Sequence, residues 1–183
     1  MRRIAAAVFA MLFVVAAHAA TTPGEMPPDA LGHTRDGREV TVSSLHGSVV
    51  VISFWATWCG YCMKELPILA GIQAQATDHH LALQVVAVDH MEDRDVFRQS
   101  AWLLHSRLPN LLVTWDRTGA IGRPFGADKE IPVMVLLHRN GTVAYIHVGY
   151  GEDMLDTIVS EINGLLAEHP GTADAKGMRA SRT

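Results

Sequence analysis

The sequence predicts an α/β fold in which helices sandwich a mixed β-sheet. Residues 49–55 form a nearly continuous apolar, β-branched run, which is typical of a strand buried on both faces. Residues 59–77 are rich in helix formers, and a second apolar run at 81–88 follows them. Near the end, Asn140-Gly141 separates two extended segments, and this dipeptide is the strongest short signal for a β-hairpin. Parallel strands joined by a helix and followed by a hairpin give a mixed sheet.

Ahead of the buried strand, the sequence predicts a hairpin at an edge of the sheet. A turn signal at Arg35-Asp36-Gly37-Arg38 separates extended segments at 31–34 and 39–42. The helix over 59–77 has a core-facing stripe with three- and four-residue spacing, and it contains Pro67, which we expect to kink it. The stripe consists of Cys62, Leu66, Leu69, Ile72 and Ala76.

The rest of the chain continues the alternation of strands and helices. The predicted elements are a helix from Asp93 or Asp95 to about residue 108, a strand at 111–115, a brief helix ending near Gly126, a strand at 131–137, its antiparallel neighbour at 142–148 and a helix at 153–168. The inward faces of the two longer helices are Val96, Phe97, Ala101 and Leu104, and Met154, Ile158, Ile162 and Leu165. Pro132 starts its strand, where a proline is tolerated.

The only two cysteines, Cys59 and Cys62, lie where the buried strand meets the first helix. Unpaired N–H groups and the dipole at a helix N-terminus stabilise an anion, so we expect a lowered pKa for the Cys59 thiol and a nucleophilic role. Cys62 lies one helical turn further on the same side, within reach of a disulfide. A zinc site needs four ligands and the sequence has no second cysteine pair, which favours a redox dithiol without metal.

The N-terminus has the pattern of a secretory signal peptide. Arg2 and Arg3 precede an apolar run at 4–17, and Ala17-His18-Ala19 fits the small-residue rule for cleavage after Ala19. We therefore expect a periplasmic protein, and an uncleaved N-terminal membrane anchor is the alternative. The predicted organisation is a signal peptide at 1–19, a proline-rich linker at 20–30, one domain at 31–168 and a disordered tail at 169–183.

Charge and cysteine usage narrow the function. The formal net charge is −4, and it becomes −6 without residues 1–19, which argues against nucleic-acid binding. An exported chain with a single cysteine pair gains little stability from a loop of this length, so the pair serves chemistry. We expect a monomer whose partners are protein thiols and disulfides.

The run Phe54-Trp55-Ala56-Thr57-Trp58-Cys59-Gly60-Tyr61-Cys62, together with Pro67 and Ile131-Pro132, resembles the thioredoxin superfamily, and within it the exported TlpA-like (ResA-like) branch. The resemblance covers about 31–168 and implies a thioredoxin-like fold with an N-terminal hairpin and a central αβ insertion before Pro132. It also implies a thiol–disulfide oxidoreductase without a cofactor. Such a protein acts as a protein-disulfide reductase, is recharged by a membrane electron donor, and serves cytochrome c maturation or copper-site cysteines.

The resemblance assigns roles to individual residues. Cys59 is the nucleophile, Cys62 the resolving thiol, Glu65 the base or proton relay, Trp58 a flank of the nucleophile, Ile131 and Pro132 a cis peptide whose backbone contacts substrate, and Gly149 a place where a partner's backbone fits. Thioredoxin has a buried acidic residue six positions before its first cysteine, and here that position is Ser53. The proton acceptor for Cys62 must therefore come from elsewhere, which favours Glu65.

Three alternatives remain open on the sequence. Gly60-Tyr61 is also the pair between the cysteines of periplasmic disulfide isomerases, so an isomerase or oxidase is not excluded. His90-Met91 could bind copper(I) together with the thiols, which would make the protein a copper-binding or metallochaperone module. Glu65 could also be a solvated residue that pairs with a neighbour on its helix.

Overall fold

The computed structural model describes residues 20–168, so the predicted signal peptide and tail lie outside the described residues. The strands are β1 (Ala30–His33), β2 (Glu39–Thr41), β3 (Val49–Trp55), β4 (Leu83–His90), β5 (Leu112–Asp116), β6 (Val133–Leu137) and β7 (Val143–Val148), and the helices are α1 (Gly60–Asp78), α2 (Arg94–Arg107) and α3 (Leu155–Ala167). They form one mixed seven-stranded sheet in the order β2-β1-β5-β4-β3-β6-β7. The predicted α/β class is confirmed, with the hairpin β1–β2 at one edge and α2–β5 as the central insertion.

The sheet is organised around β3, whose seven residues are all buried. It pairs in parallel with β4 and antiparallel with β6, and β4 pairs in parallel with β5. The two crossovers β3-α1-β4 and β4-α2-β5 step in the same direction across the sheet. Because such crossovers are right-handed, α1 and α2 lie on the same face.

Each face of the sheet has its own apolar core. The core on the helical face contains Trp55, the two cysteines and the inward stripes of α1 and α3. The opposite core contains Phe54, Leu31 of the hairpin and Phe125, which belongs to a 3₁₀ turn at Arg123–Phe125. The dithiol therefore belongs to the face that carries the three α-helices.

Several predicted helical features are confirmed and one is wrong. The α1 stripe is buried or partly buried as expected, and the helix runs continuously through Pro67. Val96, predicted to face inward on α2, is 39% exposed. The buried face of that helix passes instead through Phe97, Ser100 and Leu104, and Val96 lies one residue, or about 100°, off this stripe.

The proline-rich segment at 20–30 differs from the predicted linker because its backbone pairs with the domain. Thr21 N–H donates to the Pro124 carbonyl, and Gly24 N–H donates to the Val143 carbonyl, both at 2.8 Å. The Asp29 carboxylate accepts hydrogen bonds from the backbone and hydroxyl of Ser43. The segment thus runs along the domain. No helix within residues 20–168 is long and apolar enough to span a bilayer.

Candidate active site

The two cysteines form a disulfide at the N-terminus of α1, with an S–S distance of 2.04 Å. Cys59 is the N-cap residue of the helix, and its sulfur accepts a hydrogen bond from the Cys62 backbone N–H at 3.1 Å. Cys59 is 6% exposed and Cys62 is 0% exposed. Cys59 is therefore the sulfur that a partner can reach, and the helix N-terminus would stabilise it as a thiolate in the reduced state.

The backbone of Ile131 and Pro132 lies beside the sulfurs. The Ile131–Pro132 peptide bond is cis, and the Ile131 carbonyl oxygen lies 3.7 Å from the Cys59 sulfur. Gly149 N–H donates to the Pro132 carbonyl at 2.8 Å, and this hydrogen bond joins the end of β7 to the cis peptide segment. Gly149 has φ +81° and no atom within 4 Å of the place where a side chain would begin, so the surface here is open. The structure thus brings together Cys59 and three residues that the resemblance assigned to substrate binding.

The aromatic residues of the active-site run divide by position. Trp58 is 72% exposed, and Tyr61 is also exposed, with Lys64 Nζ 5.8 Å from the centre of its ring. Trp55 is fully buried in the core beneath the loop. Trp58 and Tyr61 therefore offer an apolar surface next to Cys59, and aromatic side chains of this kind are enriched where proteins contact partners.

Glu65 is buried one helical turn beyond Cys62, with 1% of its surface exposed. The Ser53 hydroxyl donates to its Oε1 at 2.6 Å, whereas Oε2 has no hydrogen-bond partner within residues 20–168. Burial raises the pKa of Glu65 to about 7, although the Ser53 hydrogen bond acts in the opposite direction. The alternative of a solvated, surface-paired Glu65 is wrong, because the side chain is inside the protein.

The Ser53–Glu65 contact explains how the chain departs from thioredoxin. Ser53 lies on β3 between Val51 and Trp55, and residues with this alternation face α1. Where thioredoxin has a buried acid on this strand, β3 here supplies the Ser53 hydroxyl, and the carboxyl group comes instead from Glu65 of α1. The sequence identified Ser53 as a missing acid but did not identify it as the partner of Glu65.

A buried pair of acidic residues, Asp89 and Glu92, was not recognised in the sequence. Asp89 Oδ2 accepts from the Ser100 hydroxyl at 3.4 Å, and Glu92 Oε1 accepts from the Thr57 hydroxyl, two residues before Cys59. Burial, followed by the charge of Glu92, raises the pKa of Asp89 to about 8. Asp89 Oδ1 and Glu92 Oε2 have no hydrogen-bond partner among the described residues. This pair holds the active-site loop through Thr57.

The raised pKa of Asp89 predicts a loss of stability at mildly alkaline pH. The folded protein keeps a proton that the unfolded chain has already released, so the free energy of unfolding falls as the pH rises toward about 8. We expect the oxidised protein to lose stability between pH 7 and 8.5 in urea unfolding, and the Asp89→Asn variant to lose less. The oxidised form is used because its cysteines do not titrate.

The Glu65→Gln variant is the matched control for this pH interval. With a pKa of about 7, Glu65 is already half ionised at pH 7 and contributes little to the decline above it, so this variant should keep most of that decline. An Asp89→Asn protein with the same decline as the parent would show that the buried pair does not carry it.

His90 does not share a face of the sheet with the dithiol. It packs against Phe54 in the opposite core, with ring centres 6.3 Å apart, and its Nδ1 lies 3.1 Å from Asp116 Oδ2. Burial opposes ionisation of Asp116, but hydrogen bonds from His90 and the Gly122 backbone outweigh it and lower the pKa of that carboxyl group. Within residues 20–168, no three His, Cys, Asp or Glu side chains are grouped as metal ligands. Because the sheet separates His90 from the two thiols, the geometry does not favour copper binding by His90 together with them.

A mixed sheet with a C-x-x-C disulfide at the start of α1 defines the class as a thiol–disulfide oxidoreductase of thioredoxin-like fold. The Redoxin family model matches residues 22–166, so the chain belongs to the Redoxin family. The resemblance drawn from the sequence is confirmed at this level.

Individual relatives agree with this class. The chain is similar to the Bacillus subtilis thioredoxin-like protein YneN, with 27% identity over 129 residues, 69% of this chain and 71% of the relative. It is 30% identical over 103 residues to the Escherichia coli thiol:disulfide interchange protein DsbE, 56% of this chain and about half (51%) of that protein. A Chlorobium tepidum structure described as DsbE superposes with a TM-score of 0.68 and 31% identity, covering 80% of this chain and 99% of that one.

Proposed function

We propose that this protein is a periplasmic protein-disulfide reductase that exchanges the Cys59–Cys62 dithiol with disulfides of other proteins. The observation that carries the proposal is the arrangement of three groups at the start of α1. The Cys59 sulfur lies at the helix N-terminus and is the more exposed of the two, Cys62 is fully buried, and the buried Glu65 carboxyl group follows Cys62 by one helical turn. We expect the protein to act as a monomer, to need no cofactor and to bind no nucleic acid, in keeping with its net negative charge.

The first half of the reaction takes place at Cys59. The thiolate attacks one sulfur of the substrate disulfide, a mixed disulfide forms, and the second substrate sulfur leaves as a thiolate that takes a proton from water. The Ile131 carbonyl and the open surface at Gly149 would pair with an extended substrate segment by strand addition, while Trp58 covers one side of the sulfur.

The second half needs a proton acceptor for Cys62. A carboxyl group with a pKa of about 7 is ionised in a useful fraction of molecules near neutral pH, so Glu65 can take the Cys62 proton. The Cys62 thiolate then attacks the Cys59 sulfur and releases the reduced substrate. Two electrons have passed to the substrate, and the protein is left with its own disulfide. A donor dithiol must reduce that disulfide before the next turnover.

The proposed location rests on the secretory pattern of the N-terminus, and the proposed partners rest on the TlpA-like resemblance. The secretory pattern of residues 1–19 supports export, with an uncleaved anchor as the alternative. In an oxidising compartment a reductase needs continual recharging, so we propose a membrane protein as the electron donor. Cysteines of cytochrome c maturation or of copper sites are the proposed targets, as the TlpA-like resemblance implies.

A redox titration tests the direction of electron flow. We expect the purified domain, equilibrated with dithiothreitol mixtures, to have a potential near the reducing end of the fold's range, about −270 mV. The fraction of oxidised protein is measured by trapping free thiols with an alkylating reagent. A potential near the oxidising end, about −120 mV, would instead support the oxidase or isomerase alternative suggested by Gly60-Tyr61.

A further inference from the structure

A cleft of about 640 Å³ lies between the β1–β2 turn, the start of α2 and the end of β5. Four arginines line it, and they are Arg35, Arg94, Arg98 and Arg117. They represent half of the eight arginines in residues 20–168, although the protein as a whole carries a net negative charge. The composition of the chain does not explain such a concentration of guanidinium groups.

These guanidinium groups are not neutralised by neighbours. Asp93 and Asp95 also line the cleft, but no carboxylate in the described residues lies within 4.0 Å of any of the four guanidinium groups. The three ion pairs of the described chain all involve histidines elsewhere in the fold. Four cations against two anions leave the cleft electropositive.

A stacked aromatic pair, Phe97 and Trp115, also lines the cleft. The rings of Phe97 and Trp115 stack with centres 5.3 Å apart and planes 4° apart. The Trp115 indole N–H donates to the Glu92 carbonyl at 2.9 Å, and the Glu92 side chain accepts from Thr57 of the active-site loop. The cleft is thus connected through fixed contacts to the loop that carries Cys59.

The strand register places the cleft at the same end of the sheet as the dithiol, where the parallel strands β3, β4 and β5 end. Asp89 of β4 lies between Trp55 of β3 and Trp115 of β5, and Trp115 pairs in turn with His33 of β1. Neighbouring strands are about 4.8 Å apart, so the cleft begins about 10 Å from the strand that leads into the active-site loop and extends to about 14 Å. An extended peptide covers this distance in about four residues.

We propose that this cleft binds an acidic segment of the protein whose disulfide is exchanged at Cys59. This rests on the proposed function, and it adds a specificity-determining surface to it. Guanidinium groups bind carboxylates through paired hydrogen bonds, and the partly exposed Trp115 ring can contact the apolar parts of the segment. The carboxylates of Asp93 and Asp95 between the arginines suit spaced glutamates or aspartates on a peptide and disfavour a compact polyanion.

The test uses peptides with one cysteine held in a mixed disulfide with 5-thio-2-nitrobenzoate. Reduced protein attacks the peptide disulfide and the coloured thiolate leaves, because it is the more acidic thiol. One peptide carries two glutamates three and five residues from its cysteine, on the same side of an extended segment, and the matched peptide carries two glutamines there. At low salt we expect the glutamate peptide to react about 10-fold faster, and the two rates to converge at 1 M salt.

The arginine variant identifies the surface responsible. The triple variant Arg94→Gln, Arg98→Gln and Arg117→Gln should react equally with both peptides and keep the parental rate with the glutamine peptide. The control variant Arg107→Gln and Arg123→Gln removes charge from the far end of α2 and from the 3₁₀ turn, and it should keep the preference.

The results that would overturn the cleft proposal differ from those that would overturn the proposed function. Equal rates for the two peptides with the parent, or an unchanged preference in the triple variant, overturn the cleft as a binding site. Failure of the proposed function looks different, because neither peptide would then release the coloured thiolate faster than it does with the Cys59→Ser protein.

Discussion

Replacing Cys59 by serine will abolish disulfide exchange, whereas Cys62→Ser will stop the reaction at a mixed disulfide between Cys59 and the substrate. Cys59 carries the reachable sulfur and Cys62 is fully buried, so only Cys59 can make the first attack. Without the Cys62 thiol, nothing resolves the intermediate, and covalent complexes accumulate. The measurement is non-reducing electrophoresis of periplasmic extract incubated with each reduced variant, with the trapped partners identified by mass spectrometry.

The double variant Cys59→Ser, Cys62→Ser is the control for non-covalent association. The two single variants should fold alike, because serine is close to cysteine in size and a disulfide closing so short a loop adds little stability. Equal trapping by both single variants would contradict the assignment of attacking and resolving sulfurs.

Replacing Glu65 by glutamine will slow the attack of Cys62 on the mixed disulfide by about 10²-fold at pH 7, the lower end of what a positioned general base contributes. The amide keeps the shape of the side chain but cannot accept the Cys62 proton. The parent should show a rise in the resolving rate as the pH passes about 7, and the variant should lack it. Stopped-flow release of a fluorescent substrate thiol measures this step.

The same substitution predicts a change in stability with pH. Burial raises the pKa of Glu65 from 4.5 to about 7, so the folded protein retains a proton that the unfolded chain releases. Between pH 4.5 and 7, Glu65 should therefore contribute about 3 kcal/mol to the fall in the free energy of unfolding of the oxidised parent, and Glu65→Gln should lack this contribution.

The Ser53→Ala variant separates the effect of Ser53 on the Glu65 pKa from the proposed role of Glu65 as a base. Losing the hydroxyl that lowers the Glu65 pKa should move the pH dependence of the resolving rate further upward, with the base still present. A resolving rate for Glu65→Gln that equals the parent at every pH would remove Glu65 from the mechanism, whatever happens to stability.

The sequence was sufficient for the elements that depend on local patterns. The run at β3, the stripe of α1 and the Asn140-Gly141 hairpin each combine one residue pattern with one backbone geometry, and the structure confirms them. The resemblance then supplied the cis bond before Pro132, which no local pattern predicts. The boundaries moved by only a few residues.

The missed features depend on contacts between distant residues. Residues 20–30 were predicted to be a linker from their prolines, but their partners are the carbonyls of Pro124 and Val143, far along the chain. The link from Thr57 to Glu92 crosses 35 residues, and nothing in the local sequence distinguishes Glu92 from the solvated acids beside it. Only the register of β4 against β3 brings this pair under the active-site loop.

The position of the buried carboxyl group has a consequence for protein engineering. Cys59, Cys62 and Glu65 all belong to the first turns of α1, so seven consecutive residues hold both sulfurs and the proposed base in a fixed relation to one another. The strand contributes only the hydroxyl of Ser53. Both sulfurs and the proposed base can therefore be transferred together as one short segment. A host fold must supply a helix that starts at the end of a buried strand, a serine that faces it, and a backbone beside the sulfurs in the place of Ile131–Pro132.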